Sequence, residues 1–316
     1  MPTEFGVSLH SGENTASFAK LAEEQGLDYL ACGEHLAFHG PVTNAFIELS
    51  VAAGATESIK LLSAITLLPL YPPVLAAKLA TILDVASNGR FHLGVGIGGE
   101  NPREFQAVGV PVAERGARTD EALEIIHRLM TEDDVTFEGR FTSFTGLTLA
   151  PKPTQKPRLP FWIAGRRTAA MRRAARFGQA WMPYLYTPEM VADSRAEIQR
   201  LAREAGATSW DGLTAVHVFT TVDSDGNEAR RVAAERVGRT YQQDFTGSRS
   251  RYLVAGTPAE CVSQFREYLD AGVDVILFRL TCASSQAPSM LQLIADEVIP
   301  ELRGASAGSA ERTAGT

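Results

Sequence analysis

The chain has 316 residues, of which 45% are hydrophobic, and a net charge of −7. This length suits one α/β barrel, and the negative charge argues against a nucleic-acid partner, which would require clustered Lys and Arg. No basic segment precedes an apolar stretch at the start, and no apolar run reaches the roughly 18–20 residues that span a bilayer. Three scattered cysteines form no C-x-x-C pair. We therefore expect a reduced, cytoplasmic protein with no metal site and no membrane partner.

Short apolar runs alternate with helix-periodic segments along the chain. Eight strands are predicted, in the order EFGVSL, LDYLAC, IKLLSAITLL, RFHLGVGI, PFWIA, AWMPY, TAVHVFTTV and DVILFRL. Gly26 and Gly89 follow helical segments as C-cap residues, and Thr257 and Glu260 occupy capping-box positions. Mostly continuous apolar strands that alternate with helices indicate a parallel sheet covered on both faces. Eight such units favour a closed (β/α)8 TIM barrel of the α/β class over an open doubly wound sheet.

Two segments depart from this alternation. Residues 135–160 carry alternating aromatic residues, two glycines and then a proline-rich strip, which predicts a β-hairpin insertion before the fifth strand. Residues 304–316 are small and polar without periodicity, which is typical of disorder. The prediction is one domain over 1–303 and a disordered C-terminal tail over 304–316.

The stretch LGVGIGG contains Gly94, Gly96 and Gly99 in the G-x-G-x-x-G spacing of dinucleotide-binding folds. In those folds the motif follows the first strand, and a carboxylate about 20 residues later ends the next strand. Here the motif follows the fourth predicted strand, and the carboxylates at that distance lie in a helical pattern. The context therefore argues against a Rossmann fold. At the C-terminal end of a barrel strand, Gly96, Gly98 and Gly99 instead allow a flat ring to approach the backbone closely.

Candidate catalytic residues follow the second predicted strand. The segment GEHLAFHG contains Glu34 and His35, and His35 is a candidate general acid or base. His35 and His39 are four residues apart, but the glutamate lies on the wrong side for an H-E-x-x-H zinc motif, and Gly40 soon ends any helix. Glu34 and His35 are the predicted catalytic residues.

A basic turn between the fifth strand and its helix is a candidate phosphate site. It contains Gly165, Arg166, Arg167 and Thr168. Backbone N–H groups at a helix N-terminus, together with a guanidinium group, suit a phosphate, although a solvated basic turn would have the same composition. Combined with the glycine-rich strand end, and with Thr66 at the end of the third strand, this turn favours a flat cofactor that carries a phosphate.

The chain resembles the luciferase-like monooxygenases, a family of bacterial-luciferase-type flavin or coenzyme F-420 oxidoreductases. The resemblance rests mainly on residues 57–110, from ESIKLLSAITLLPLYPP to GVGIGGENPREFQAVGV. It continues in the same order through ERGARTDEALEIIHRLM, FTGLTLAPKPTQKPRLPFWIAG, AARFGQAW and VAGTPAECVSQFREYLDAGVD. These segments cover most of the chain.

The resemblance implies that reduced FMN or coenzyme F-420 binds at the C-terminal mouth of the barrel. It also implies a non-proline cis peptide near the end of the third strand, at Ala64–Ile65. The turn AGRRT stands where members commonly have Gly-Gly-Ser, so its phosphate contacts differ in detail. The cofactor-binding residues expected on this basis are Ala64, Ile65, Thr66, Gly96, Gly98, Gly99, Asn101, Arg118, Gly165, Arg166, Arg167 and Thr168.

The implied activity depends on the cofactor. With FMN, a separate flavin reductase would supply the reduced flavin, and oxygen would be incorporated into a small organic substrate. With coenzyme F-420, the reaction would be hydride transfer to or from the substrate, and His35 would move a proton in either case. The family's usual form implies a homodimer. Two alternatives stay open: a non-catalytic luciferase-like binding subunit, and a phosphate-binding barrel lyase or isomerase.

Overall fold

The computed structural model describes residues 2–9 and 14–304, and within these ranges the chain forms twelve strands and ten α-helices. The strands are β1 Glu4–Ser8, β2 Tyr29–Cys32, β3 Lys60–Ser63, β4 Thr66–Leu67, β5 Phe91–Gly96, β6 Val135–Glu138, β7 Ser143–Leu147, β8 Phe161–Ala164, β9 Ala180–Met182, β10 Leu213–Val222, β11 Leu253–Gly256 and β12 Val275–Leu280. The helices are α1 Thr15–Glu24, α2 Ala45–Ala55, α3 Pro73–Ala86, α4 Pro102–Ala107, α5 Arg115–Thr131, α6 Thr168–Phe177, α7 Pro188–Glu204, α8 Gly226–Tyr241, α9 Pro258–Asp270 and α10 Ala287–Leu293.

Eight parallel strands close into a barrel. The circuit runs β1-β2-β3-β5-β8-β9-β10-β12 and returns to β1. This confirms the predicted α/β barrel, and β6 pairs antiparallel with β7 as the predicted hairpin insertion. The long strand β10 pairs with β9 near its start, with β12 along its middle and with β11 beyond the barrel wall. Strand β11 was not predicted, because its four residues are too few to show a pattern of their own.

The predicted helix ends are also present. Gly26 and Gly89 adopt φ values of +70° and +79° after their helices, and Thr257 and Glu260 form both hydrogen bonds of a capping box at the start of α9. The short helix α4 was missed. The predicted tail lies outside the described residues from position 305 onward. Within the described ranges, no helix combines the length and the apolar character needed to cross a bilayer.

Alternation along the strands separates the barrel interior from the helix-facing side. On β12, Val275 and Leu277 pack inside the barrel, while Ile276 and Phe278 join the core beneath the helices. Large side chains fill the lower interior, where the Trp162 indole donates a hydrogen bond to His92 Nδ1 over 3.1 Å. Polar side chains follow toward the C-terminal ends of the strands. The barrel therefore has a packed base and a polar mouth.

The third predicted strand is broken rather than continuous. It consists of β3 and β4, and the Ala64–Ile65 peptide between them is cis, in agreement with the expectation. Two glycines of β5 fit closely against this break. A Cβ atom at Gly94 would lie 1.8 Å from the Ser63 carbonyl oxygen, and one at Gly96 would lie 1.7 Å from Ile65 Cδ1. The packing of the barrel thus requires glycine at position 94, where the obstacle is backbone, whereas a side chain at position 96 would require the Ile65 side chain to move.

Replacing Gly94 with alanine is expected to destabilise the fold by about 3 kcal/mol or more, because the new methyl group would collide with the Ser63 backbone. Gly54 is a matched control: it lies within α2, with no heavy atom within 4 Å of an added Cβ. Gly54→Ala should instead stabilise the protein by up to about 1 kcal/mol. Urea unfolding measures both changes, and equal stabilities for Gly94→Ala and the wild type would refute the packing argument.

Candidate active site

His35 pairs with a buried carboxylate at the mouth of the barrel. It follows β2, and its Nδ1 lies 3.1 and 3.2 Å from the two carboxylate oxygens of Glu104 on α4. The Glu104 side chain is fully buried, whereas that of His35 is 25% exposed. Because Nδ1 faces the carboxylate, it carries the proton, and Nε2 is left to exchange a proton with a ligand.

Several contacts hold this pair in place. Glu104 also accepts hydrogen bonds from the backbone N–H groups of Leu36 and Ala37, at 2.6 and 3.1 Å. The Asn101 side chain caps α4 and donates to the Ala37 carbonyl over 2.8 Å. The loops after β2 and β5 are therefore tied together around His35. The predicted cofactor contact of Asn101 stays a prediction, and its observed bonds orient the loop that carries His35.

Glu34 is buried and engaged on the opposite side of the same segment. Its carboxylate accepts hydrogen bonds from the backbone of Leu67 at 2.9 Å, the Tyr71 hydroxyl at 3.0 Å and the Asn44 amide at 3.1 Å. Burial raises the pKa of Glu34, and these hydrogen bonds oppose the rise. These contacts join β2 to β4 and to the start of α2, which fits a positioning role. The catalytic role of Glu34 stays a prediction.

The predicted ring platform lies at the ends of β4 and β5. The Thr66 hydroxyl is buried and has no hydrogen-bond partner among the described residues. Gly98 and Gly99 adopt φ values of +57° and +109°. A Cβ atom at Gly98 would contact Leu67, and one at Gly99 would lie 2.8 Å from Arg115 Nε. Protein atoms thus occupy the space beside these glycines, so close ring approach is not their only explanation.

The predicted phosphate turn lies between β8 and α6. Gly165 has a φ of +131°, and its carbonyl accepts a hydrogen bond from the Trp181 indole over 2.9 Å. Arg167 occupies the N-cap position of α6, where no side chain of the described residues caps the helix. Arg166, Arg167 and Thr168 are exposed. The turn therefore offers uncapped N–H groups and two exposed cations to solvent.

Arg118 lies apart from this turn. It forms an ion pair with Glu114 at 2.8 Å, and its guanidinium stacks over the Phe141 ring of the hairpin insertion at 4.4 Å. Both contacts lie at the start of α5. The role of Arg118 as an additional phosphate ligand stays a prediction. The charge of Arg118 already has a carboxylate partner in Glu114.

Several polar residues that the sequence did not single out line the remaining wall of the mouth. The Tyr184 hydroxyl donates to the Glu100 carboxylate, and the guanidinium of Arg166 lies 4.9 Å from the Tyr184 ring. Tyr241 stacks on Tyr184 with 6.5 Å between ring centroids. Burial, then the Glu100 charge, raises the pKa of Tyr241 to about 12. These tyrosines are therefore hydrogen-bonding groups rather than bases at neutral pH.

The residues of the candidate site that were not predicted from the sequence lie on different helices and loops. Glu104 lies on a six-residue helix too short for a helical period, three positions after the cap residue Asn101. Tyr184 and Tyr241 follow β9 and end α8, far apart in the chain. A glutamate three residues after an asparagine that precedes a proline is a capping pattern, so Glu104 had a local signal. The tyrosines had none.

The closed barrel, the His–Glu pair at its C-terminal mouth and the basic helix N-terminus beside it define a (β/α)8 barrel protein with a site of enzymatic type. The family model described as luciferase-like monooxygenase matches residues 1–275. The chain therefore belongs to the luciferase-like monooxygenase family.

Individual relatives differ in their named cofactors. The chain is 28% identical to the FMNH(2)-dependent dimethylsulfone monooxygenase of Pseudomonas putida, over 75% of this chain and 66% of that protein. It is 27% identical to the F420-dependent glucose-6-phosphate dehydrogenase of Microbacterium testaceum, over 96% and 98% of the two chains. Mycobacterial relatives match at 35% identity, but the chain spans only 57% of their length. A monooxygenase from Streptomyces bottropensis shares the fold, with a TM-score of 0.82, 24% identity and coverage of 94% and 99%.

Proposed function

We propose that this chain is an oxidoreductase that binds reduced FMN or coenzyme F-420 at the mouth of the barrel and acts on a small organic substrate. One observation carries the proposal: His35, held by Glu104, lies at the end of β2, whose neighbour is the broken strand β3–β4. A proton-exchanging side chain thus lies beside the strand ends where the ring is expected. The named cofactors of both relatives support this assignment.

The residues present fit a phosphate-bearing flat cofactor. The unpartnered Thr66 hydroxyl is available to the ring or its side chain. The N–H groups at the start of α6 and the exposed guanidinium groups of Arg166 and Arg167 suit the phosphate. Both features lie at the C-terminal ends of barrel strands, the location of active sites in this fold.

In the proposed reaction the bound cofactor supplies hydride transfer or, with reduced FMN and oxygen, oxygen transfer. The protein binds and orients the reactants. Glu104 holds the proton on His35 Nδ1, so that Nε2 accepts a proton from the substrate or, once charged, returns one. Glu34 and Asn101 fix the segment that carries His35.

Comparing cofactors with and without a phosphate tests the assignment. We expect FMN to bind the wild type about 10–100-fold more tightly than riboflavin, or F-420 more tightly than its dephosphorylated chromophore, because phosphate–guanidinium hydrogen bonds are strong. The double variant Arg166→Gln/Arg167→Gln should lose that preference. Arg172→Gln, an exposed position on the same helix, should keep it. Fluorescence titration measures each affinity, and an unchanged preference in the double variant would contradict the proposed phosphate site.

A further inference from the structure

Three adjacent strands place polar side chains at the inner face of the barrel, near its mouth. Ser8 ends β1, His217 lies on β10, and Arg279 lies on β12 between them. The Ser8 hydroxyl and His217 Nε2 are 2.7 Å apart. In the register, His217 lies opposite Leu277, while Arg279 lies opposite Phe219, two residues closer to the mouth. Since Leu277 packs inside, the alternation of the strand also directs Arg279 inward, above the Ser8–His217 pair.

The guanidinium of Arg279 has no ion-pair or hydrogen-bond partner among residues 2–9 and 14–304, although the residue is partly buried. By contrast, the buried Arg173 on α6 forms an ion pair with Asp120. Burial and then the charge of Arg279 lower the pKa of His217 to about 3, so His217 is neutral at pH 7. Arg279 therefore carries the positive charge at this point of the barrel, and without a partner among the described residues its guanidinium is available to an anion.

An apolar wall adjoins this cation. Phe219 stacks on His217 with ring centroids 6.4 Å apart, and Tyr241 meets the edge of Phe219 at 5.8 Å. Besides burial, three charges act on the pKa of Tyr241: Glu100 raises it, and Arg279 and Arg166 lower it. The carboxylate of Glu100 lies on the same wall and accepts a hydrogen bond from the Tyr184 hydroxyl. The site thus combines aromatic surface with the cation of Arg279 inside the barrel, while Arg166 of the basic turn lies on the Tyr184 ring at its rim.

We propose that Arg279 is a specificity-determining residue that pairs with a carboxylate of the substrate, so that the substrate is a small organic acid whose apolar part lies against Phe219 and Tyr241. Neutral His217 and the Ser8 hydroxyl add uncharged hydrogen-bonding groups beneath that carboxylate. This inference rests on the proposed function, since it takes the mouth of the barrel as the substrate site. It assigns the anion to the substrate because the basic turn after β8 is a separate candidate for the cofactor phosphate.

Calorimetric titration of the full chain with benzoate and with its neutral isostere benzamide tests the inference. We expect benzoate to bind the wild type at least about tenfold more tightly than benzamide, because only benzoate pairs with the guanidinium. Arg279→Gln should abolish this difference by weakening benzoate alone. Arg279→Lys should retain part of it, and the exposed control Arg172→Gln should retain all of it.

Equal affinities for benzoate and benzamide in the wild type, no binding of either, or an unchanged preference in Arg279→Gln would each overturn the inference. If Arg279→Gln does not fold, the salt dependence of the wild type decides, since only benzoate binding should weaken when chloride is raised to about 0.5 M. Weaker FMN or F-420 binding in Arg279→Lys, with benzoate binding unchanged, would assign Arg279 to the cofactor instead. A wild type that binds benzoate but neither cofactor would contradict the proposed function, while the pairing of Arg279 with a carboxylate would stand.

Discussion

Replacing His35 with asparagine is expected to lower kcat by about 10²–10⁴-fold on any substrate that the wild type turns over. The asparagine amide can still donate a hydrogen bond to Glu104, so the loops around it stay joined. The asparagine side chain has no titratable nitrogen that could exchange a proton as His35 Nε2 does. Affinity for the cofactor should therefore change little. Steady-state kinetics and cofactor titration measure the two effects separately.

Two further variants separate proton transfer from structure. Glu104→Gln keeps an oxygen for the Leu36 and Ala37 N–H groups but no longer fixes the proton on Nδ1. It should lower kcat by about 10–100-fold, with KM nearly unchanged. His39→Asn is the control, because His39 is exposed and lies four residues away. Full activity in His35→Asn would show that His35 is not the proton-transfer residue.

Acid should destabilise the protein through two buried histidines. Burial lowers the pKa of both His92 and His217 to about 3, from a usual 6.5, so both are neutral in the folded state. As pH falls below 6.5, the unfolded chain gains protons that the folded chain does not, so stability present above pH 6.5 is lost. Each histidine should cost about 2 kcal/mol between pH 7.5 and pH 5.

The variant His92→Gln isolates one of these contributions. Glutamine can accept the hydrogen bond from the Trp162 indole without titrating. Its loss of unfolding free energy between pH 7.5 and pH 5 should be smaller than that of the wild type by about 2 kcal/mol. This comparison also removes the opposing effect of Glu34, whose raised pKa favours the folded state in acid. Guanidinium unfolding at both pH values measures the difference, and identical losses would refute a neutral buried His92.

The barrel could be predicted because its strands are apolar on both faces and its helix ends carry local signals, such as Gly26 and the capping box at Thr257. The break between β3 and β4 could not be predicted from propensity, because IKLLSAITLL is mostly apolar and contains no proline or glycine to interrupt a strand. The resemblance implied the cis peptide at Ala64–Ile65, but the strand itself was predicted to be continuous. The glycines of the LGVGIGG stretch were located correctly at the strand end, but the close packing of Gly94 on Ser63 and of Gly96 on Ile65 depends on tertiary contacts.

The candidate site was predictable only in part. His35, Thr66 and the turn after β8 are each positioned by their own strand, so their place at the mouth followed from the barrel. Glu104 reaches His35 from 69 positions away, and Arg279 lies inside the barrel only because of the parity of β12. Such pairings depend on how distant segments meet, which a single sequence does not specify. The sequence alone also could not distinguish Glu34 as a structural ligand of backbone groups from a catalytic carboxylate.

Titration of the purified protein with FMN, reduced FMN and coenzyme F-420, followed by absorbance and fluorescence, tests the central claim most directly. The account predicts that one of these cofactors binds with a dissociation constant on the order of micromolar, corresponding to about −8 kcal/mol. It also predicts that Thr66→Val weakens that binding, since the buried hydroxyl has no protein partner among the described residues. Binding of none of the three would contradict the account.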